Sequence, residues 1–203
     1  MLLEAHNIGL RHPNGHWLFR NLSISLRSGE IVGIRGPSGC GKTSFARILS
    51  GYEQPSEGVV LLDNSPLPKT NYHPVQLIYQ HPEKAVNHRW KMSKILNEGW
   101  TPDDHLLTSL GIEREWLNRW PNELSGGELQ RFCVARALGP KTKFLIADEM
   151  TTMLDAISQA QIWQSVLDIA QKRNLGILVV SHDDHLLKRV CSRVIEFHNI
   201  SYK

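Results

Sequence analysis

Residues 30–35 read Glu30-Ile31-Val32-Gly33-Ile34-Arg35, and Gly36-Pro37-Ser38-Gly39-Cys40-Gly41-Lys42-Thr43 continues without a break. The first string is a short apolar strand. The second has the form G-x-x-x-x-G-K-[ST], and residues 42–49 behind it read as a helix. Strand, glycine loop and helix in that order make a cradle for phosphates. Glycines let the main chain approach phosphate oxygens, and the helix N-terminus adds partial positive charge. In that geometry Lys42 reaches terminal phosphates and the Thr43 hydroxyl binds Mg²⁺. A chance glycine turn does not explain both flanks.

A second string, Leu124-Ser125-Gly126-Gly127-Glu128, opens a helix over residues 125–138. Ser125 and Glu128 have capping-box spacing, which accounts for those two residues but not for the glycines between them. Each glycine costs roughly 1 kcal/mol against alanine in a helix. Two in one turn therefore mark a backbone that something approaches closely, and a phosphate is the natural candidate.

Further along, an apolar strand over 143–147 ends in Asp148-Glu149. Ligands of parallel sheets sit beyond the carboxyl ends of the strands, so both carboxylates fall beside the glycine loop. Asp148 is suited to hold Mg²⁺ through water, and Glu149 to orient or deprotonate an attacking water. His182 comes after the next buried strand, 176–180, and can hydrogen-bond a γ-phosphate. His182 and His185 have helical spacing, but no third ligand accompanies them and a metal pair is not supported. Gln80 ends a strand over 75–79, where an amide can touch Mg²⁺ or water, and an ordinary polar strand end is the alternative reading of this residue alone. Together these residues describe a protein that closes around ATP and hydrolyses it.

The remaining sequence fixes the frame. Residues 2–10 and 17–26 alternate and read as two strands of a small sheet, with a further strand over 59–63. Between residues 82 and 121 the pattern changes to short helical pieces carrying Trp90, Trp100, Trp116 and Trp120, read as the core of a small helical subdomain, with a partner cleft formed by one or two of them as the alternative. Residues 156–172 form an amphipathic helix, with Ile157, Ala160, Trp163, Leu167 and Ala170 as its buried stripe. A helix over 183–190 and a strand over 193–197 complete the order. Strands that are apolar without alternation, separated by helices, indicate a parallel sheet covered on both faces.

At 203 residues the chain is one domain. A formal charge of +3, without a basic stripe, gives no case for nucleic acid. Cys40, Cys133 and Cys191 are odd in number and far apart, which suits a reducing compartment better than a disulfide framework. The N-terminus lacks the basic flank of a signal peptide. The apolar run over 175–180 is too short to span a bilayer.

Taken in order, these strings resemble the ATP-binding subunits of ABC transporters over nearly the whole chain. The resemblance makes residues 36–43 the Walker A loop, Gln80 the Q-loop glutamine and residues 124–128 the signature. It makes residues 144–148 with Glu149 the Walker B segment, His182 the switch histidine and Asp155 the D-loop aspartate. It implies an α/β fold: a P-loop NTPase core with a parallel sheet, a small antiparallel β subdomain and a compact helical insert. Residues 1–81 and 122–203 would form the core and β subdomain, and about 82–121 the insert. The adenine-stacking position falls at His12, with Trp17 as second choice.

The family binds ATP with Mg²⁺ between two subunits, the Walker A loop of one facing the Ser-Gly-Gly helix of the other. That implies a second ABC ATPase subunit, integral membrane permease subunits and a place on the cytoplasmic face of the cell membrane. Residues 75–82, Asn87-His88-Arg89 and residues 94–98 resemble the oligopeptide, dipeptide and nickel importer branch, which typically pairs two different ATPases. A heterodimer is the expectation. Members of that branch usually continue past the last strand, whereas this sequence stops at Lys203, so the extra C-terminal segment is expected to be absent.

Two departures stand out. Met150 replaces the proline that commonly comes after the catalytic glutamate, and Met153 stands in the D-loop where alanine is usual. Proline restricts the residue before it, so Glu149 is expected to be held less firmly and the ATPase to be slow. Soluble ABC-type ATPases of repair and translation fit poorly, because no coiled coil separates Lys42 from Ser125 and only one such domain is present. An accessory subunit of a soluble complex is the alternative. The sequence does not name a solute.

Overall fold

The computed structural model describes residues 1–69 and 72–197. Its strands are β1 (Leu2–Arg11), β2 (Trp17–Arg27), β3 (Ile31–Arg35), β4 (Glu57–Leu62), β5 (Ser65–Pro66), β6 (Val75–Ile78), β7 (Phe144–Asp148), β8 (Gly176–Val180) and β9 (Arg193–Glu196). The helices are α1 (Lys42–Leu49), α2 (Met92–Leu96), α3 (Asp104–Ser109), α4 (Gly126–Ala137), α5 (Ala156–Arg173) and α6 (Asp184–Val190). An antiparallel sheet has the order β2-β1-β4-β5, and a parallel sheet the order β6-β7-β8-β3-β9. The fold is the α/β architecture expected from the sequence. β5 was not anticipated, since two residues carry no readable period. The stop at Lys203 lies outside the described residues.

Why the parallel strands are apolar throughout is visible in their two faces. Successive side chains of a strand point to opposite sides. Phe144, Ile146, Leu178 and Val180 pack toward α1 and the antiparallel sheet, with Phe19, Phe45 and Leu49. Leu145, Ala147, Ile177 and Val179 enter a second core with Phe132, Trp163 and Val166. Both layers are buried, so no polar residue interrupts either strand.

Two sequence expectations about the core need correction. Ile157 is 83% exposed, and the buried side of α5 is Ile162, Trp163, Val166 and Ala170. Ala160 is exposed as well, and the first turn of α5 meets the fold through polar contacts, Ser158 with Arg131 at 3.0 Å and Gln159 with Thr151 at 3.1 Å. Trp120 is 40% exposed rather than core, whereas Trp116 is buried and Trp90 and Trp100 are partly so. Residues of the helical segment, among them Met92, Ile95, Leu106 and Leu110, share one cluster with Phe132 and Trp163. They are packed as an extension of the main core.

The register sets the geometry of the site. Ile78 pairs with Ala147, Asp148 with Val180, and Ile34 with Val180. β6, β7, β8 and β3 therefore end side by side, and the segments leaving their carboxyl ends emerge along one rim.

Candidate active site

Four chain segments leave that rim together: the glycine loop after β3, Gln80 after β6, Asp148-Glu149 at β7, and Ser181-His182 after β8. Gly39 and Gly41 take φ of 78° and 101°, in the left-handed region that glycine enters without cost. The loop turns back so that the Lys42 ammonium donates to the carbonyls of Gly36 and Pro37, both at 2.8 Å. Lys42 is buried, and its charge is held at the loop's centre by main-chain dipoles. Gly41 is also required by packing, because a Cβ there would lie 2.7 Å from the Phe19 ring.

Asp148 is buried and its Oδ1 has no hydrogen-bond partner. Burial pushes its carboxyl above the ordinary aspartate range, and the charge of Glu149 adds to the rise. A hydrogen bond from Thr43 opposes the shift, as do Arg47 and Lys42. An orphaned carboxylate oxygen beside a threonine hydroxyl is the donor set of a hard divalent cation. The Gln80 amide stands 3.5 Å from the Thr152 hydroxyl, a contact too long to fix it.

Glu149 adopts φ 50°, a left-handed conformation that is costly for a residue with a side chain. Its N–H donates to the Val180 carbonyl at 2.9 Å. Its own carbonyl accepts from the Thr152 N–H at 3.2 Å and the Thr152 hydroxyl at 2.9 Å. Met150 is buried in the core with Trp163. The Glu149 main chain is thus hydrogen-bonded through both its N–H and its carbonyl without a proline after it. The carboxylate Oε1 lies 3.5 Å from His182 Nδ1, and the histidine side chain is 68% exposed.

The Ser125 cap is complete. Glu128 N–H donates to Ser125 Oγ at 3.2 Å, and Ser125 N–H donates to Glu128 Oε2 at 2.7 Å. The two glycines differ. A Cβ on Gly126 would meet nothing within 4 Å, whereas one on Gly127 would lie 2.8 Å from Leu154. Gly127 thus has a packing reason that sequence could not supply, and only Gly126 faces open space. Residues 125–128 line a cavity of about 380 Å³ with Trp116, Arg131 and residues 153–155, and no residue of the 36–43 loop borders it. Asp155 caps α5, accepting from Ile157 N–H at 3.0 Å and Ser158 N–H at 2.9 Å.

His12 sits at the tip of the β1–β2 hairpin, closed by its N–H to the His16 carbonyl at 2.8 Å. The second choice, Trp17, begins β2, and the guanidinium groups of Arg11 and Arg20 lie 4.2 and 4.6 Å from its ring centroid.

The ABC transporter family model matches residues 19–152. The chain belongs to the ABC transporter family. Two nickel import ATP-binding proteins, both NikE, are similar over most of its length. That of Escherichia coli O6:K15:H31 (strain 536 / UPEC) is 35% identical over 204 residues, 90% of this chain and 75% of the relative. That of Escherichia coli (strain K12) is 34% identical over 223 residues, 94% and 82% of the two chains. Among solved structures, the dimeric post-hydrolysis state of the ATP-binding cassette MJ0796 bound to ADP and Pi superposes with a TM-score of 0.81. It is 24% identical, over 96% of this chain and 93% of that one. CbiO1 from Clostridium perfringens, part of the cbiONQ complex, gives 0.77 at 21% identity, over 96% and 83%. These two likenesses speak to the fold.

As an ABC transporter cassette, the chain is an ATP-binding ATPase. Within the cassette, Gln130 continues the signature string as Leu129-Gln130-Arg131, and the sequence assigned it no contact of its own. It is 2% exposed, and its Nε2 donates to the Tyr79 carbonyl at 3.1 Å. That bond ties α4 to the residue before Gln80. Buried Arg131 likewise holds α4 to α5 through Ser158 at 3.0 Å and Gln161 at 3.0 Å.

Proposed function

We propose that this chain is one of two different ATPase subunits of an ABC importer for nickel or a nickel chelate, bound to permease subunits at the cytoplasmic membrane face. The observation that carries the reading is a division of labour. Lys42, Thr43, Asp148, Glu149 and His182 gather on one rim, while Ser125 and Gly126 border a separate cavity. Each chain then holds half of each ATP site. The NikE relatives supply the cargo, and no helix among the described residues is long and apolar enough to cross a membrane.

Thr43, Asp148 and Gln80 would hold Mg²⁺, which when bound would supply positive charge to the phosphate oxygens. Lys42 exchanges the Gly36 and Pro37 carbonyls for terminal phosphates. Glu149 orients water and takes up its proton, and His182 holds the γ-phosphate. His12 stacks on adenine. Leu124 to Glu128, with Asp155, meet the partner's nucleotide. Such catalysis is positioning and charge stabilisation. A cleft of about 570 Å³ lined by Tyr52, His73, Tyr79, Lys84, Glu98 and others lies beside Gln80, where a permease segment can sense its position. Bulky Met153 at the D-loop keeps turnover slow.

Glu149→Gln tests the reading. Turnover should fall by about 10² or more, while ATP drives the protein, alone or with its co-purifying cassette, to twice its mass by light scattering. Tight ATP binding without any association would overturn it. Co-purification of two permease subunits and loss of nickel uptake in a Lys42→Ala strain would support the transport assignment; recovery with ribosomes or DNA would not.

A further inference from the structure

One guanidinium binds together three segments around the active site. Arg35, the last residue before the glycine loop, donates from Nη1 to Asp184 Oδ1 at 2.6 Å and from Nε to Glu196 Oε1 at 2.9 Å, with Nη2 on the same Glu196 oxygen. Asp184 begins α6, two residues after His182. Glu196 ends β9, which pairs with β3 and is the last strand of the sheet among the described residues.

Both arms reach catalytic segments. On the Glu196 side, Phe197 N–H donates to the Arg35 carbonyl at 2.6 Å. Phe197 presses on the loop itself: a Cβ on Gly36 would stand 2.7 Å from its carbonyl oxygen. Its ring joins Phe19 at 5.5 Å and Phe45 at 5.6 Å beneath the loop. On the Asp184 side, Ser181 N–H donates to the Ile34 carbonyl at 3.2 Å, the last main-chain bond between β3 and the His182 segment. Beyond it, the His182 ring lies 3.5 Å from the Glu149 carboxylate.

We propose that Arg35 is a positioning residue that sets the glycine loop through Glu196 and His182 through Asp184. The proposal rests on the role of His182 in holding the γ-phosphate. All three side chains are 41–47% exposed, and ion pairs of that kind add little to global stability. Losing one should therefore show in site geometry rather than in melting. The two arms serve different steps. The Glu196 arm bears on nucleotide binding, and the Asp184 arm on hydrolysis.

Asp184→Asn should lower turnover at saturating Mg-ATP by about tenfold, the scale of a small misplacement of a catalytic group. Its affinity for a fluorescent ATP analogue should stay within about twofold of wild type. Glu196→Gln should show the reverse, an affinity loss of about tenfold with turnover largely kept. Arg35→Met should combine both losses, and Arg35→Lys should recover part of each. Asp104→Asn, which breaks the exposed Arg114–Asp104 pair of 2.6 Å, controls for loss of surface charge.

Wild-type behaviour of Asp184→Asn and Glu196→Gln overturns the proposal. So does a parallel loss of both parameters that tracks a lowered melting temperature. His182→Ala separates this failure from that of the underlying reading. If it hydrolyses normally, the role of His182 is wrong and the Glu196 arm alone decides the proposal. If it is inactive while Asp184→Asn is normal, the Asp184 arm is wrong.

Discussion

Two adjacent acids at the end of β7 are each held at a cost, for different reasons. Asp148 is a buried carboxylate with one unpartnered oxygen, and its raised pKa means that the fold disfavours its charged form. At neutral pH the native state therefore carries a penalty that the unfolded chain escapes. Asp148→Asn should stabilise the nucleotide-free protein in urea by on the order of 1 kcal/mol. The same variant should lose the melting shift that Mg-ATP gives wild type; a lowered urea midpoint would contradict the account. Glu149 is strained in its backbone, at φ 50°. Glycine takes that conformation freely and alanine does not, so Glu149→Gly should exceed Glu149→Ala in stability by about 1 kcal/mol. Equal midpoints would mean that the left-handed turn is not kept.

Single elements carry two further expectations. At the start of α4, Gly126→Ala gains helix propensity in open space and should raise stability by up to about 1 kcal/mol. On the proposed two-subunit site, ATP-driven association should nonetheless be lost, because the new methyl would stand where the partner's phosphate is proposed to come. Gly127→Ala pushes on Leu154 and should lower stability instead. Finding both substitutions equally harmless to association would remove the signature helix from the site. At the start of α5, hydrogen bonds from the Ser158 main chain and side chain hold the Asp155 carboxyl below the ordinary aspartate value of 3.8. Since the folded state binds its proton more weakly than the unfolded chain, the cap's contribution is complete above that value. It fades as the pH falls through the lower folded value. Asp155→Asn keeps a capping oxygen that does not titrate. The stability difference between wild type and this variant should therefore shrink in acid melts below pH 3.8. A difference that stays constant would assign the shift to something other than the cap.

On the scale of the whole molecule, the parallel sheet divides the apolar residues into two layers, and the helical segment belongs to one of them. Phe132 on α4 is fully buried in the cluster that joins Met92, Leu110 and Trp116 to Val166 and Ile177. Phe132→Ala should cost about 3–5 kcal/mol. Far-UV circular dichroism and tryptophan emission should still trace one coincident transition, as a shared core requires. If the emission midpoint separates from the dichroism midpoint, the helical segment unfolds on its own. The tie between α4 and Tyr79 through Gln130 belongs to the same scale, since it joins the signature helix to the strand before Gln80.

The nucleotide loop, the capping box and the acidic strand end were legible in the sequence because each is local chemistry. Glycines, a lysine and a hydroxyl at fixed spacing, or an apolar run ending in two carboxylates, dictate a turn or a strand whatever surrounds them. The order of strands and helices came from the same local periods. What depended on long-range contact was not legible. Arg35 meets Glu196, Leu154 closes on Gly127, and two arginines cover Trp17, each brought together only by sheet order and register. Ile157 and Trp120 carry core-like side chains yet lie outside the core, because burial is set by what packs opposite a residue and not by the residue alone.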